Sequence, residues 1–296
     1  MEPPLASILF QELGERTHAS EQILGLGSVN QVFLLKGTKG EYILRLNSAQ
    51  EKGIEFRKEA WCQQKARALG IPCPELFAFG ELQDWVYLLM EYLPGKNGSQ
   101  CTGQEQISIW QKLGCYAKKV HQIPEWGDSV VAAQEFHANW QARLSYNLAR
   151  LNSSDSLLRE QGLNPKLHRN ISHRLQQLRG MNLNVGLVHG DLCPRNTLVN
   201  QDEVYLLDWG TAQINVIPHL EMVQVMNAGE ANTEAWEAFL DGMGFSLRDF
   251  ESIQHEVQLI HLLHSIDTYR WAETYAKEHL NRYFEAILRA MEGAHV

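Results

Sequence analysis

Short apolar runs broken by glycine and turn formers fill the first third of the chain. Helical spacing takes over afterwards, so the pattern predicts strands first and helices later. Ile23 and Leu24 lead into Gly25-Leu26-Gly27-Ser28-Val29-Asn30, and Gln31-Val32-Phe33-Leu34-Leu35 follows as an apolar strand. Lys36-Gly37-Thr38-Lys39-Gly40 reads as a turn and Tyr42-Ile43-Leu44-Arg45-Leu46 as the returning strand. Residues 55–69 are rich in helix formers and stop at Gly70, a C-cap, with Pro72 and Pro74 beyond it. Trp85-Val86-Tyr87-Leu88-Leu89-Met90 is a further buried strand, and Pro94-Gly95 after it marks a hinge.

Beyond the hinge, Ile107, Trp110, Leu113, Ala117 and Val120 recur on one helical face, and residues 140–151 and 171–178 read as further helices. Two short apolar segments, Asn196-Thr197-Leu198-Val199 and Val204-Tyr205-Leu206-Leu207, interrupt them. The intervening Asn200-Gln201-Asp202-Glu203 predicts a hairpin turn, and helices resume to the C-terminus. The pattern contains no internal repeat, low-complexity tract or heptad run.

With 296 residues, the chain can bury a substantial core as one large domain or two lobes. No apolar run approaches a membrane span, and Met1-Glu2-Pro3-Pro4 is unlike a signal peptide. Cys62, Cys73, Cys101, Cys115 and Cys193 are scattered without a CxxC pair, which predicts reduced thiols of a cytoplasmic protein. The net charge of −9 argues against nonspecific nucleic-acid binding. Residues 220–296 carry 13 acidic and 5 basic side chains, so nearly all the excess negative charge lies in the last quarter.

Candidate chemistry concentrates in His189-Gly190-Asp191-Leu192-Cys193-Pro194-Arg195-Asn196 and in Leu207-Asp208-Trp209-Gly210. A tight hairpin between them brings an aspartate, an asparagine and a second aspartate to one end of a two-stranded ribbon. One carboxylate can then meet a hydroxyl while the other and the amide hold a metal, the equipment that phosphoryl transfer needs. The two stretches resemble the catalytic loop and metal motif of the aminoglycoside phosphotransferase and choline kinase superfamily, relatives of the protein kinases. Protein kinases write these motifs HRDxxxxN and DFG.

That resemblance implies an α+β, two-lobed protein-kinase-like fold. A small β-rich nucleotide-binding lobe is expected over residues 1–92, and a larger, mainly helical catalytic and acceptor-binding lobe over 93–296. It further implies Asp191 as the base or orienting carboxylate, and Asn196 and Asp208 as Mg²⁺ ligands. Gly25, Gly27 and Ser28 stand in the phosphate-covering loop, although a third glycine of the usual pattern is replaced by Asn30. Arg45 occupies the place of the phosphate-holding lysine, keeping its charge with a different reach, and Glu59 is its expected partner, with Glu55 as competitor. Glu91 and Leu93, in the Met90-Glu91-Tyr92-Leu93 segment, offer backbone groups to the purine of ATP or GTP. Pro218-His219-Leu220-Glu221-Met222 resembles the family's PxxDLA segment, with Glu221 in place of the usual aspartate.

The function expected is therefore Mg²⁺-dependent transfer of a nucleotide γ-phosphate to a hydroxyl of a small acceptor. The acidic C-terminal quarter favours a cationic acceptor, such as an aminoglycoside or an amino alcohol, over a neutral macrolide or sugar. A catalytically silent kinase-like binding protein and a protein kinase are the alternatives. Arg45 and Asn30 favour the first, and the chain lacks an APE-type segment needed for the second. His255, His261 and His264 read as helix histidines rather than a metal site. Trp236, Tyr269, Trp271 and Tyr275 read as core before pocket lining.

Overall fold

Strict alternation along the strand that carries Arg45 assigns the two faces of a five-stranded antiparallel sheet. The computed structural model describes residues 4–23, 30–124, 133–153, 155–231 and 233–296. In chain order its elements begin with α1 (Leu5–Leu13), β1 (Ala19–Gln22), β2 (Gln31–Lys36), β3 (Glu41–Ser48), α2 (Ala49–Ala68), β4 (Leu76–Leu82) and β5 (Trp85–Glu91). They continue with β6 (Lys96–Asn97), α3 (Gln104–Val120), α4 (Ala133–Asn152), α5 (Ser156–Glu160), α6 (Pro165–Gln176), β7 (Val185–Val188), β8 (Thr197–Asn200) and β9 (Glu203–Leu206). The last are β10 (Gln213–Val216), α7 (His219–Asn227), α8 (Glu234–Met243), α9 (Leu247–Tyr275) and α10 (Leu280–Gly293).

Contacts divide the chain into two compact units. One joins Met1–Ile109 with Pro194–Ala212, the other Trp110–Cys193 with Gln213–Val296. A linear division after residue 92 differs from this grouping because β6 pairs with β8, through Lys96↔Val199 and Asn97↔Leu198. That pairing needs the close approach at Gly95, where a Cβ would lie 2.6 Å from the Val199 carbonyl oxygen. Glycine is the residue that permits it.

In the first unit the sheet order is β1-β2-β3-β5-β4. On β3, Tyr42, Leu44 and Leu46 join Ile8 and Leu9 of α1, Phe33 and Leu35 of β2 and Tyr87 and Leu89 of β5 in one core. Alternate residues pack the other way, where Val86, Leu88 and Met90 of β5 meet Phe56 and Ala60 of α2, with Ile43 against them. Apolar layers on both faces explain the unbroken apolar run of β5. Arg45 has the parity of Ile43, which directs it to the α2 face.

Helix α2 starts at Ala49, six residues before the expected start at 55. The added residues, Ala49-Gln50-Glu51-Lys52-Gly53-Ile54, include a glycine and a single large apolar side chain, so no helical periodicity reveals them. Helix α1 and strands β1, β4, β6, β7 and β10 also lay outside the sequence pattern. All four β1 residues are exposed, which leaves no alternation to read.

The second unit is helical apart from a two-stranded ribbon, β7 against β10, in register Val188↔Gln213 to Val185↔Val216. Helix α9 opens with a capping box between Ser246 and Asp249. Its later turns meet α4 through charge. Asp267 accepts from Asn147 Nδ2 at 2.9 Å and pairs with Arg143, while Arg270 pairs with the buried Asp155. No helix among the described residues is long and apolar enough to cross a membrane.

Candidate active site

The first unit brings three of the expected residues into contact. Arg45 on β3 pairs with Glu59, midway along α2, and its Nη2 lies 3.4 Å from Asp208 Oδ1. Burial works against the guanidinium charge, yet the carboxylates of Glu59 and Asp208 outweigh it and hold the Arg45 pKa above its ordinary value. Glu59 is 2% exposed, Arg45 12% and Asp208 53%, so the pair is sealed at the Glu59 end and open at the Asp208 end. Phe56 stacks beneath the guanidinium, 5.9 Å from its ring centroid. Glu55, the competing partner, binds Lys52 at 2.8 Å instead.

The hairpin forms as the pattern predicts, with β8 and β9 joined at Gln201 and Asp202 and Gln201 at a left-handed φ of 55°. Each strand is displaced by one residue from the expected segments. At the open end the Leu207 N–H donates to the Asn196 carbonyl oxygen at 2.9 Å, immediately beyond the Thr197↔Leu206 pair. Asn196 closes a short 3₁₀ turn that starts at Pro194, and Thr197 Oγ1 caps it by donating to Pro194 O at 2.7 Å. Asp208 follows with a left-handed φ of 58°. Aspartate tolerates that conformation better than most residues. Trp209 next to it is fully buried and anchors the turn. Lys58 of α2 donates to Gly210 O at 2.9 Å, a second tie between helix and metal motif that sequence reading missed.

Asp191 belongs to the second unit, in the loop that leaves β7. Two residues of α7 hold this loop. His189 N–H donates to Glu221 Oε1 at 3.1 Å, and Gln224 Nε2 donates to Gly190 O at 3.1 Å. Glu221 thus makes the bracing contact despite replacing an aspartate. Burial pushes its carboxyl up to about 7, with the His189 N–H as the opposing influence. His121 Nε2 stands 3.9 Å from the same oxygen, and burial pushes that imidazole down to about 4. The Cys193 thiol lies 3.5 Å from Asp191 O and 3.7 Å from its Oδ1. Gln224 was not foreseen, although its place one turn after Glu221 puts both on one helix face, a signal the sequence does contain.

Other expected residues fall elsewhere. Gly25, Gly27 and Ser28 lie outside the described residues; Asn30 does not, and its Oδ1 accepts from Asn47 Nδ2 at 2.7 Å. Glu91 ends β5 with its N–H bound to Glu75 O at 2.9 Å and its carboxylate accepting from Glu75 N–H at 3.0 Å. The Glu91 N–H and carboxylate are thus both engaged with Glu75. Arg195 is exposed, and its carbonyl oxygen accepts from Asn97 Nδ2 at 2.9 Å.

His255 Nε2 lies 2.7 Å from Gln177 Oε1 and His261 Nε2 lies 2.9 Å from Asn227 Oδ1. No group of three or more His, Cys, Asp or Glu side chains placed to hold a metal occurs among the described residues. Trp236 and Tyr269 are buried in the core, whereas Trp271 is 50% and Tyr275 72% exposed.

Residues 21–217 match the model of a phosphotransferase enzyme family, the family that the loop and metal motif resemble. No curated protein sequence matches the chain. Among solved structures it is similar to ADP-bound aminoglycoside phosphotransferase APH(2'')-Ib, at 13% identity and a TM-score of 0.66, over 99% of both chains. It is also similar to spectinomycin phosphotransferase APH(9)-Ia in complex with ADP and spectinomycin, at 14% identity and a TM-score of 0.61. That match spans 99% of this chain and 97% of the other. A putative fructosamine-3-kinase from Haemophilus somnus 129PT matches at 15% identity and a TM-score of 0.60, over 96% of each chain. These likenesses establish the α+β, protein-kinase-like fold expected from the sequence.

Proposed function

The chain belongs to the phosphotransferase enzyme family, and on that premise we propose that it transfers the γ-phosphate of ATP, or of GTP, to a hydroxyl of a small molecule. The observation that carries this reading is the contact of Arg45 with both Glu59 and Asp208. A permanently charged guanidinium fixed by a buried carboxylate is suited to hold phosphate oxygens, as the lysine–glutamate pair does in kinases.

The donor set fits a hard divalent cation. Asp208 offers a carboxylate that is 53% exposed, just after β9, and Asn196 an amide oxygen immediately before β8 at the same end of the ribbon. Mg²⁺ held there supplies neutralisation of the charge on the transferring phosphoryl group. In this reading Asp191 takes the acceptor's hydroxyl proton as the acceptor oxygen bonds to the γ-phosphorus and the nucleoside diphosphate departs. Arg45 orients the phosphates, and the carbonyl of Glu91 with the backbone of Leu93 receives the purine.

The acceptor class follows from charge. The surplus of acidic residues after residue 219 favours a cationic hydroxyl compound such as an aminoglycoside or an amino alcohol. Part of that surplus serves the fold, since Asp241 binds Gln111, Asp249 caps α9 and Asp267 pairs with Arg143. The test is ADP release by the purified protein with MgATP and, in separate reactions, aminoglycosides, choline, ethanolamine, macrolides and hexoses. Acceptor-dependent release that disappears in Asp191→Ala, with nucleotide binding retained, supports transfer. Release with neutral acceptors alone ends the cationic assignment.

A further inference from the structure

We propose that Gln224 is a positioning residue for Asp191, holding the Gly190–Asp191 peptide plane in the one orientation the carboxylate requires. The inference rests on the reading of Asp191 given above. The Gly190 carbonyl belongs to the same rigid peptide unit as the Asp191 N–H. Gly190 has a φ of +81° and no side chain, so rotation of that plane meets little steric resistance on its N-terminal side. Rotation changes φ of Asp191 and with it the direction of the carboxylate.

Gln224 Nε2 opposes this by donating to Gly190 O at 3.1 Å. Glu221, three residues earlier on α7, accepts the His189 N–H at 3.1 Å. The helix thus grips two successive residues with bonds of opposite polarity, an acceptor for an N–H and a donor for a carbonyl. An ionised carboxylate could not take the place of Gln224, because it has no proton to donate to a carbonyl oxygen. The flanking residues of α7, Met222, Val223 and Val225, are fully buried, which keeps both side chains in register with the loop. On the far side of Asp191 the Cys193 thiol adds a weak donor, 3.5 Å from the Asp191 carbonyl oxygen.

The test compares Gln224→Leu with the isosteric Gln224→Glu, in the full chain, by ADP release from MgATP with water as acceptor. At pH 8 both variants are expected to lose about tenfold in kcat with KM for MgATP within about twofold of the parent, the pattern of a misplaced group. The introduced glutamate can donate to Gly190 O only when protonated, a fraction that grows from pH 8 to pH 5.5. The Gln224→Glu rate, taken relative to the parent at the same pH, should then rise while Gln224→Leu stays low. Amide hydrogen exchange needs no turnover and should quicken over residues 189–193 in Gln224→Leu, with the β7–β10 ribbon unchanged.

An unchanged kcat in Gln224→Leu overturns the proposal, as does equal loss in both variants at both pH values or unaltered exchange in the loop. If Asp191→Asn keeps full turnover, the assignment of Asp191 falls, and the exchange result still decides whether Gln224 pins the plane.

Discussion

The carbonyl oxygen of Asn196 accepts the Leu207 N–H at 2.9 Å, which ties one proposed magnesium ligand to the residue preceding the other. The tie uses backbone atoms, so it survives substitution of either side chain. Asp208→Ala is therefore expected to lower Mg²⁺-dependent ADP release by about 10²–10³-fold, the loss typical of a removed electrostatic stabiliser. Asn196→Ala should lose less, and Asp208→Ala should also unfold somewhat below the parent temperature, since alanine tolerates the left-handed φ of 58° less well and Arg45 loses a partner. Calorimetry and coupled ADP assays check this, and full activity in Asp208→Ala rejects the metal assignment.

The Arg45–Glu59 pair separates stability from function. Arg45→Met strands a carboxylate that is 2% exposed and should cost about 3–5 kcal/mol, the usual result of breaking a buried pair from one side. Glu59→Gln leaves Arg45 with Asp208 and should cost less, about 1–3 kcal/mol. The double change Arg45→Met with Glu59→Leu should regain much of the stability while turnover stays lost. Denaturant unfolding reads the first three values. A cost near zero for Arg45→Met would mean that the pair is not buried in solution.

Glu221 makes stability depend on pH. Its carboxyl is pushed up to about 7 by burial from an ordinary value of 4.5, so the folded protein retains a proton that the unfolded chain has released. This contribution is complete below about 4.5 and is lost as pH rises through about 7. Glu221→Gln removes the penalty, and a glutamine oxygen can still accept the His189 N–H. The variant should unfold at a higher temperature than the parent at pH 8 and show no such gain at pH 4.5. A gain of equal size at both pH values would assign it to packing instead.

Three histidines act in the opposite sense. His121, His261 and His264 are pushed down to about 4 by burial from 6.5. Their contribution is present above 6.5 and is lost as pH falls toward 4, when the unfolded chain binds protons that the folded one refuses. Three such groups outweigh one carboxyl, so the melting temperature should fall between pH 6.5 and 4. The fall should be steeper in Glu221→Gln, and a flat profile across that window would contradict it.

Cysteine reactivity should divide by burial. Cys62 and Cys73 are buried and their thiols are pushed up to about 12, whereas Cys115 is exposed and Cys193 half-buried. Iodoacetamide should label Cys115 and Cys193 in the folded protein and spare the three buried thiols, Cys62, Cys73 and Cys101, read by peptide mass spectrometry. Alkylation of Cys193 beside Asp191 should stop turnover, and Cys193→Ala should resist the reagent. Inactivation that persists in Cys193→Ala would place the sensitive thiol elsewhere.

Much of the site could be read before the structure because its parts are local. The β8–β9 hairpin depends on a four-residue turn between two apolar segments, and the structure displaces it by one residue. The identity of Arg45's partner was harder to read, since Glu55 and Glu59 lie one turn apart on the same helix. Burial settles it: Glu59 faces the sheet, and Glu55 stays with Lys52 at the surface. Strand β10 and its partner β7 are four residues each and separated by the whole hairpin, so neither carries enough pattern to be recognised alone.

What the chain offers by itself is the pattern behind the proposed chemistry. An aspartate, an asparagine and a second aspartate around a turn resemble the motifs of a phosphotransferase family, and the turn is legible because hairpin geometry is set by neighbours in sequence. What needed the folded molecule is the set of long-range contacts that aim those groups. Arg45 meets Asp208 across 163 positions, and Gln224 meets Gly190 across 34. No local propensity encodes such distances; they arise when α2 covers one face of the sheet and α7 packs beneath the catalytic loop.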